Sequence, residues 1–304
     1  MPTCLVLMCT YNGERFLREQ IGSVLSQKDV AVSIKVADDR SSDGTVRILE
    51  EYRSRYLNFD YCVNEVNKNF TYNFIDLLFS VRDTQYDYYA FCDQDDIWLP
   101  EKLAEAIKKI GEKGSSENGV LYCSNLKVTD ARGNAIGMEE GDSIHKTNRC
   151  TYLYENICTG CTMVFDRKFK DHCLKYYPKS IRLHDHWFFL IAVYTAEWVY
   201  DPRAFILYRQ HVDNQVGSKK NADESLGAQF AHFLEKSNSD TTQRLQQLLI
   251  GYGDEISAAD RKNIEIVANY KRNIGCRLKF ACYSRFKRRK RNLRFRIRVL
   301  FGKV

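Results

Sequence analysis

Short apolar runs alternate with amphipathic segments through the first third of the chain, and this alternation limits the fold more than any other feature. Residues 3–9 (TCLVLMC) form an apolar run that ends in the turn formers Thr10, Tyr11, Asn12 and Gly13, the pattern of a buried strand and its turn. In 14–27, Phe16, Leu17, Ile21, Val24 and Leu25 recur at helical spacing. Residues 30–37 alternate as a second strand and run into a polar loop, 38–44 (DDRSSDG). The cycle then repeats, with helix 45–56, strand 57–63, helix 69–79 and strand 86–92 (YDYYAFC). That strand ends at 93–96 (DQDD), and a further helix over 98–110 carries Pro100 near its first turn. Alternating strands and helices with short connections predict a mostly parallel sheet covered by helices. Ligands of such sheets sit beyond the carboxyl ends of the strands, where each of these acidic loops falls.

The pattern changes after Gly119. Strands are expected at 120–125, 126–129, 162–165 and 198–208, helices at 169–177 and 185–196, and a polar excursion at 130–148. Beyond Ser225, the residues Phe230, Phe233, Leu234, Leu245, Leu248 and Leu249 point to more helices, with 217–223 (GSKKNAD) as the linker. This divides 304 residues into an α/β unit, 1–216, and a helical C-terminal region, 217–304. Hydrophobic residues make up 44%, enough for a core of that size. The longest apolar run, 187–196, is about half of the roughly 20 residues that a bilayer crossing needs. No charged segment precedes the first apolar run, so a cytosolic start without a secretory signal is expected. The 11 cysteines are then expected to be free thiols, and the CxxC at Cys158 and Cys161 lacks a second ligand pair.

The formal net charge of +7 is unevenly spread. The stretch from Lys271 to Val304 holds 14 of the 46 basic residues and none of the 39 acidic ones, so the body is net acidic. Leu278, Phe280, Tyr283, Phe286, Leu293, Phe295, Ile297, Val299, Leu300 and Phe301 interleave with these cations. Cations among apolar residues suit a helix lying in an anionic headgroup layer. A protein partner or nucleic acid would also accept such a tail. The acidic body and the lack of an RNP-type or zinc-finger motif weigh against nucleic acid, so none is expected as a partner.

Three carboxylates within 93–96 repel one another, and a divalent cation removes that penalty. Hard oxygen ligands suit Mg²⁺ or Mn²⁺, and a diphosphate is the natural co-ligand. Neither GxxxxGK[ST] nor GxGxxG occurs, which removes support for P-loop NTPases and dinucleotide oxidoreductases.

The motifs TYNG (10–13), ADDRSSDGT (37–45) and DQDD (93–96), in that order, resemble those of family 2 glycosyltransferases of the GT-A fold. Thr159-Gly160-Cys161, His184-Asp185-His186-Trp187 and Tyr208-Arg209-Gln210-His211 extend the likeness over about residues 3–215. The set is especially similar to rhamnosyltransferase-like bacterial members, which typically use a dTDP-sugar to extend surface polysaccharides.

The resemblance implies a GT-A catalytic domain with a nucleotide-sugar site formed by Thr10, Tyr11, Asn12, Asp38, Asp39, Asp93 and Gln94. It implies a divalent cation, Mn²⁺ or Mg²⁺, held by Asp93, Asp95 and His211, with Asp95 the direct ligand and Asp93 closer to the ribose or a metal-bound water. Asp185 stands at the position of the catalytic base, preceded by His184 where an acidic residue is more usual. Trp187 is either core or acceptor-stacking, and His186 and Gly160 are placed on the acceptor side. The function implied is inverting, metal-dependent transfer of a sugar, L-rhamnose from dTDP-rhamnose foremost, from a dTDP- or UDP-sugar to a saccharide on a lipid carrier. The enzyme would work at the inner face of a bacterial plasma membrane, held by 271–304. The rival reading is a catalytically idle nucleotide-sugar-binding or scaffold module.

Overall fold

The computed structural model describes residues 1–138, 149–211, 239–283 and 289–302. The linker at 217–223 and the helix-forming Phe230, Phe233 and Leu234 lie outside the described residues.

The first half is built as strand and helix in turn: β1 (Thr3–Thr10), α1 (Leu17–Leu25), β2 (Ala31–Asp38), α2 (Thr45–Arg55), β3 (Phe59–Val63), α3 (Asn69–Ser80) and β4 (Tyr88–Cys92). A two-residue β5 (Ile97–Trp98) and α4 (Lys102–Lys113) follow. The second half holds β6 (Val120–Thr129), β7 (Ala135–Met138), β8 (Val164–Asp166), α5 (Arg167–Cys173), α6 (His184–Thr195) and β9 (Glu197–Arg209). Helices α7 (Ser239–Tyr252), α8 (Ala258–Ala268), α9 (Ile274–Cys282) and α10 (Arg289–Leu300) close the chain.

The sheet runs β3-β2-β1-β4-β8-β6-β9-β5, with β7 paired to β6. Strands β3, β2, β1 and β4 are parallel, as the alternation predicts. The remainder is mixed: β8 is antiparallel to both β4 and β6, whereas β6 and β9 are parallel. The parallel half follows from its helical crossovers, and β8 is entered from a short 3₁₀ turn (Gly160–Thr162).

Both faces of β1 are covered, which is why it reads as a continuous apolar run. Leu5, Leu7 and Cys9 enter one core with Phe74, Phe91 and the residues of α6, while Cys4, Val6 and Met8 enter the other with Leu17, Ile21 and Leu103. The first core continues into Leu245, Ile264, Phe280, Phe295 and Val299. The C-terminal helices therefore complete the same core as the α/β unit.

Two local expectations shift. The region 120–129 is one strand, bulged near Asn125. Trp98 belongs to β5, where it pairs with Ile206 of β9, and the helix starts only at Lys102, beyond Pro100. This pairing lays the 93–96 loop beside the carboxyl end of β9.

Candidate active site

The loops after β1, β2 and β4 converge at the carboxyl ends of their strands, and polar side chains staple them together. Thr10 Oγ1 donates to Asp38 Oδ2 at 2.7 Å, and Asp38 also accepts from the Ser41 amide and hydroxyl at 2.8 and 2.6 Å. Asn12 Oδ1 accepts from the Ser42 amide at 2.8 Å, and the Gly13 amide donates to Thr45 Oγ1 at 2.8 Å. Glu14 accepts from the Gly44 amide at the start of α2, where the helix dipole favours a carboxylate. Gln94 spans the gap to the third loop: its Oε1 accepts from the Tyr11 amide at 2.8 Å, and its Nε2 donates to the Tyr11 carbonyl at 3.0 Å. A Cβ on Gly13 would lie 2.3 Å from that Oε1, so a larger residue there would displace the Gln94 side chain.

These bonds separate the expected nucleotide residues into two kinds. Asp38, Asn12 and Gln94 spend polar atoms on the loops themselves. Asp39 is anchored by the Lys68 amide and by Asn64 Nδ2, at 2.8 and 2.9 Å on its Oδ1. Tyr11 is 46% exposed, which leaves its ring open to a ligand. Asn64, Lys68 and Asn73, which bonds Asn64, were not found by motif reading. Only a run of amide side chains after β3 hinted at them.

The carboxylates crowd. Burial, then Asp95, then Asp185 push the Asp93 carboxyl up to about 7. Burial first, and Asp95 and Asp93 next, raise Asp96 well above the usual range. Asp95 Oδ2 lies 2.8 Å from His211 Nε2. The His211 ring is 4.9 Å from Phe16 of the turn before α1, and the neighbouring Arg209 pairs with Glu19.

Asp95 and His211 pair with each other, and Asp95 repels Asp93, a repulsion that a divalent cation would relieve. A second convergence lies deeper. Asp93, Asp96 and Cys161 bring donor atoms within 4.8 Å of one another, but Asp96 and Cys161 are buried and burial pushes the Cys161 thiol far up. A protonated thiol is a poor ligand for a hard cation. Asp96 instead accepts the Arg209 amide at 3.2 Å, and Lys102, buried 3.5 Å over the Trp98 ring, adds a cation beneath the cluster.

Asp185 lies in the first turn of α6. Its Oδ1 accepts the His186 amide at 2.6 Å, and the Gly160 amide and the Asn156 side chain also donate to it. Burial outweighs these bonds and pushes its carboxyl up to about 6. Since Asp185 also raises Asp93, the base expected from the sequence and the acidic loop share one field.

Its neighbours are interior. His184 stacks on Phe74 at 4.2 Å, and burial drives its imidazole down to about 3, so it is neutral. A Cβ on Gly160 would lie 2.8 Å from His184 Nε2, so Gly160 is packed against that ring. His186 is buried with Nε2 2.7 Å from the Tyr152 carbonyl, and Trp187 is fully buried. Neither offers surface to an acceptor: of the two readings of Trp187 the structure shows the core one, and the acceptor-side role expected of His186 gives way to packing. The reason is that α6 is buried all round, a helix whose apolar sequence marks no outward face.

All 11 cysteines are free. No helix among the described residues is long and apolar enough to cross a membrane.

Comparison with known proteins agrees with this geometry. The profile of glycosyl transferase family 2 matches residues 5–174. The dTDP-rhamnosyl transferase RfbG of Shigella flexneri is 35% identical over 223 residues, covering 69% of this chain and 74% of that protein. An uncharacterized glycosyltransferase of Rickettsia typhi, RT0329, is 23% identical over 251 residues, 77% of this chain and 72% of its own length. Among solved structures, residues 1–349 of S. aureus TarS superpose with a TM-score of 0.61 at 15% identity, covering 100% of this chain and 89% of that one. The mannosyltransferase PcManGT of Pyrobaculum calidifontis, solved with GDP-Man and Mn²⁺, gives 0.53 at 12% identity over 99% of this chain and 86% of its own. At these identities the structural likeness bears on the fold, which is the GT-A fold.

Proposed function

Because the chain belongs to glycosyl transferase family 2 and is a nucleotide-sugar glycosyltransferase, we propose that it moves L-rhamnose from dTDP-rhamnose, with inversion, onto a saccharide carried by a lipid in the assembly of a bacterial surface polysaccharide. What supports the reading is the convergence of the loops after β1, β2 and β4 at the carboxyl ends of their strands, with Asp185 of α6 near enough to raise Asp93. The choice of sugar is supported by the 35% identity to a dTDP-rhamnosyl transferase.

The donor's nucleotide lies over the loops after β1 and β2, with Tyr11 against the base and Asp39 toward the base or ribose. Asp93, Asp95 and His211 would hold Mn²⁺ or Mg²⁺, which when bound would spread the charge that develops on the departing diphosphate. Asp185, ionised, accepts the proton of the acceptor hydroxyl while that oxygen bonds to the anomeric carbon. The bond from that carbon to the diphosphate oxygen breaks in the same displacement, and the diphosphate leaves with the electron pair. General base help of this kind is worth roughly 10²–10⁴-fold. Attack from the face opposite the leaving group inverts the centre.

The acceptor's lipid accounts for the basic end of the chain. Leu278, Leu293, Leu300 and Phe301 are exposed on α9 and α10, and Lys271 to Val304 holds no acid. We place this surface on anionic lipid at the inner face of the plasma membrane.

Nucleotide release from dTDP-rhamnose, UDP-GlcNAc and GDP-mannose, with Mn²⁺ and after EDTA, tests the reading. Turnover of dTDP-rhamnose alone, lost with EDTA, is expected. Preference for another donor overturns the sugar, and EDTA-insensitive turnover overturns the metal.

A further inference from the structure

The C-terminal helices reach the base through one short segment. A 3₁₀ turn, Arg149–Leu153, leads to Gly160 along the inner side of α6. The Tyr152 carbonyl takes His186 Nε2, and the Tyr152 ring meets Phe189 at 5.2 Å and Trp198 at 5.6 Å. Two residues on, the Tyr154 ring lies 4.2 Å from Phe295 of α10 and 5.5 Å from Phe280 of α9. Phe280 and Phe295 meet at 5.2 Å, nearly perpendicular, and both are buried. Two residues further, Asn156 Oδ1 accepts the Cys158 amide at 3.0 Å, which turns its NH₂ toward Asp185. Two of the three donors on Asp185 thus come from a segment whose other side is set by α9 and α10.

We propose that α9 and α10 brace this segment, with Tyr154 and Phe295 acting as positioning residues that hold Asn156 and Gly160 against Asp185. The inference rests on the reading of Asp185 as the base. Cores are close-packed, so a void opened at Phe295 removes the support of Tyr154 and is filled only in part, by neighbours that shift into it. Gly160, already packed on His184, has no slack to absorb that shift. A displacement of about 1 Å at a reacting group can cost on the order of 10²-fold in rate.

The test compares the wild-type chain with Phe295→Ala, the milder Phe295→Leu and Asp185→Asn. Hydrogen exchange is followed in 152–160 and 38–45, dTDP affinity by calorimetry, and nucleotide release from dTDP-rhamnose with water and with octyl α-L-rhamnoside as acceptors. In Phe295→Ala, exchange in 152–160 should quicken about tenfold while 38–45 is unchanged. Turnover should fall about tenfold with dTDP affinity within about twofold. Should Phe295→Ala not fold, Phe295→Leu is read for the same pattern at smaller size. Exchange that stays unchanged in 152–160, or rises equally in both segments, overturns the brace. So does a loss of dTDP affinity that matches the loss of turnover. If Asp185→Asn is inactive while Phe295→Ala and Phe295→Leu are fully active, the brace alone fails; if Asp185→Asn is active, the base reading fails.

Discussion

The two halves of the site are held by different forces. On the donor side, three loops are fastened by side chains that bond neighbouring backbone, as Gln94 fastens Tyr11 and Asp38 fastens Ser41. On the acceptor side, Asp185 takes three donors, but what holds those donors is aromatic packing: His184 on Phe74, and Tyr154 on Phe295. Hydrogen-bonded loops depend on residues a loop away, whereas packed rings depend on whatever fills the far side of the core. The donor half should therefore tolerate damage to the C-terminal helices that the acceptor half does not.

The sharpest way to separate the halves is chemical. Asp185→Asn keeps the shape and removes the base, so turnover should fall by roughly 10²–10⁴-fold, read as nucleotide release. The same group sets the acid side of the pH profile. Burial raises its carboxyl to about 6, and the base acts only when ionised, so turnover at saturating donor should fall about tenfold per pH unit below that value and level off above it. A profile flat from pH 5 to 8 would contradict Asp185 as the titrating base.

A smaller effect marks the donor half. Gly13→Ala drives a methyl group into Gln94 and loosens Tyr11, so donor KM should rise about tenfold with kcat within about twofold. An equal fall in kcat would mean that the two halves are not separable. The mildest test concerns the outer face of α10. Removing everything beyond 270 would strip Phe280, Phe295 and Val299 from the core, so Leu293→Asp with Leu300→Asp is the cleaner change. Retention on phosphatidylglycerol vesicles should drop severalfold while turnover of a soluble acceptor stays within about twofold. Retention equal to the wild type would remove the lipid surface.

The donor half was legible in the sequence because each of its motifs follows its own strand, and strands with helical crossovers deliver their ends to one edge. The parallel order of β3, β2, β1 and β4 and the convergence of Thr10, Asp39 and Asp93 came from that rule. On the acceptor side the sequence singled out Asp185 through the family resemblance alone. Trp187 could not be assigned to core or acceptor, and His186 was expected at the acceptor, since a helix buried on every side shows no periodicity. Asn156, Tyr154 and Phe295 left no signal, because tertiary packing brings them together across long stretches of chain. The meeting of Asp96 with Cys161 and the burial of Lys102 were hidden for the same reason, although Asp96 and Cys161 each stood in a motif.

Binding and turnover measured together in Asp185→Asn test the account most directly. The account predicts wild-type affinity for dTDP-rhamnose with Mn²⁺, by calorimetry, beside a turnover reduced by roughly 10²–10⁴-fold. Turnover near the wild-type value, or an affinity lost in step with it, would contradict a base that stands apart from the donor site.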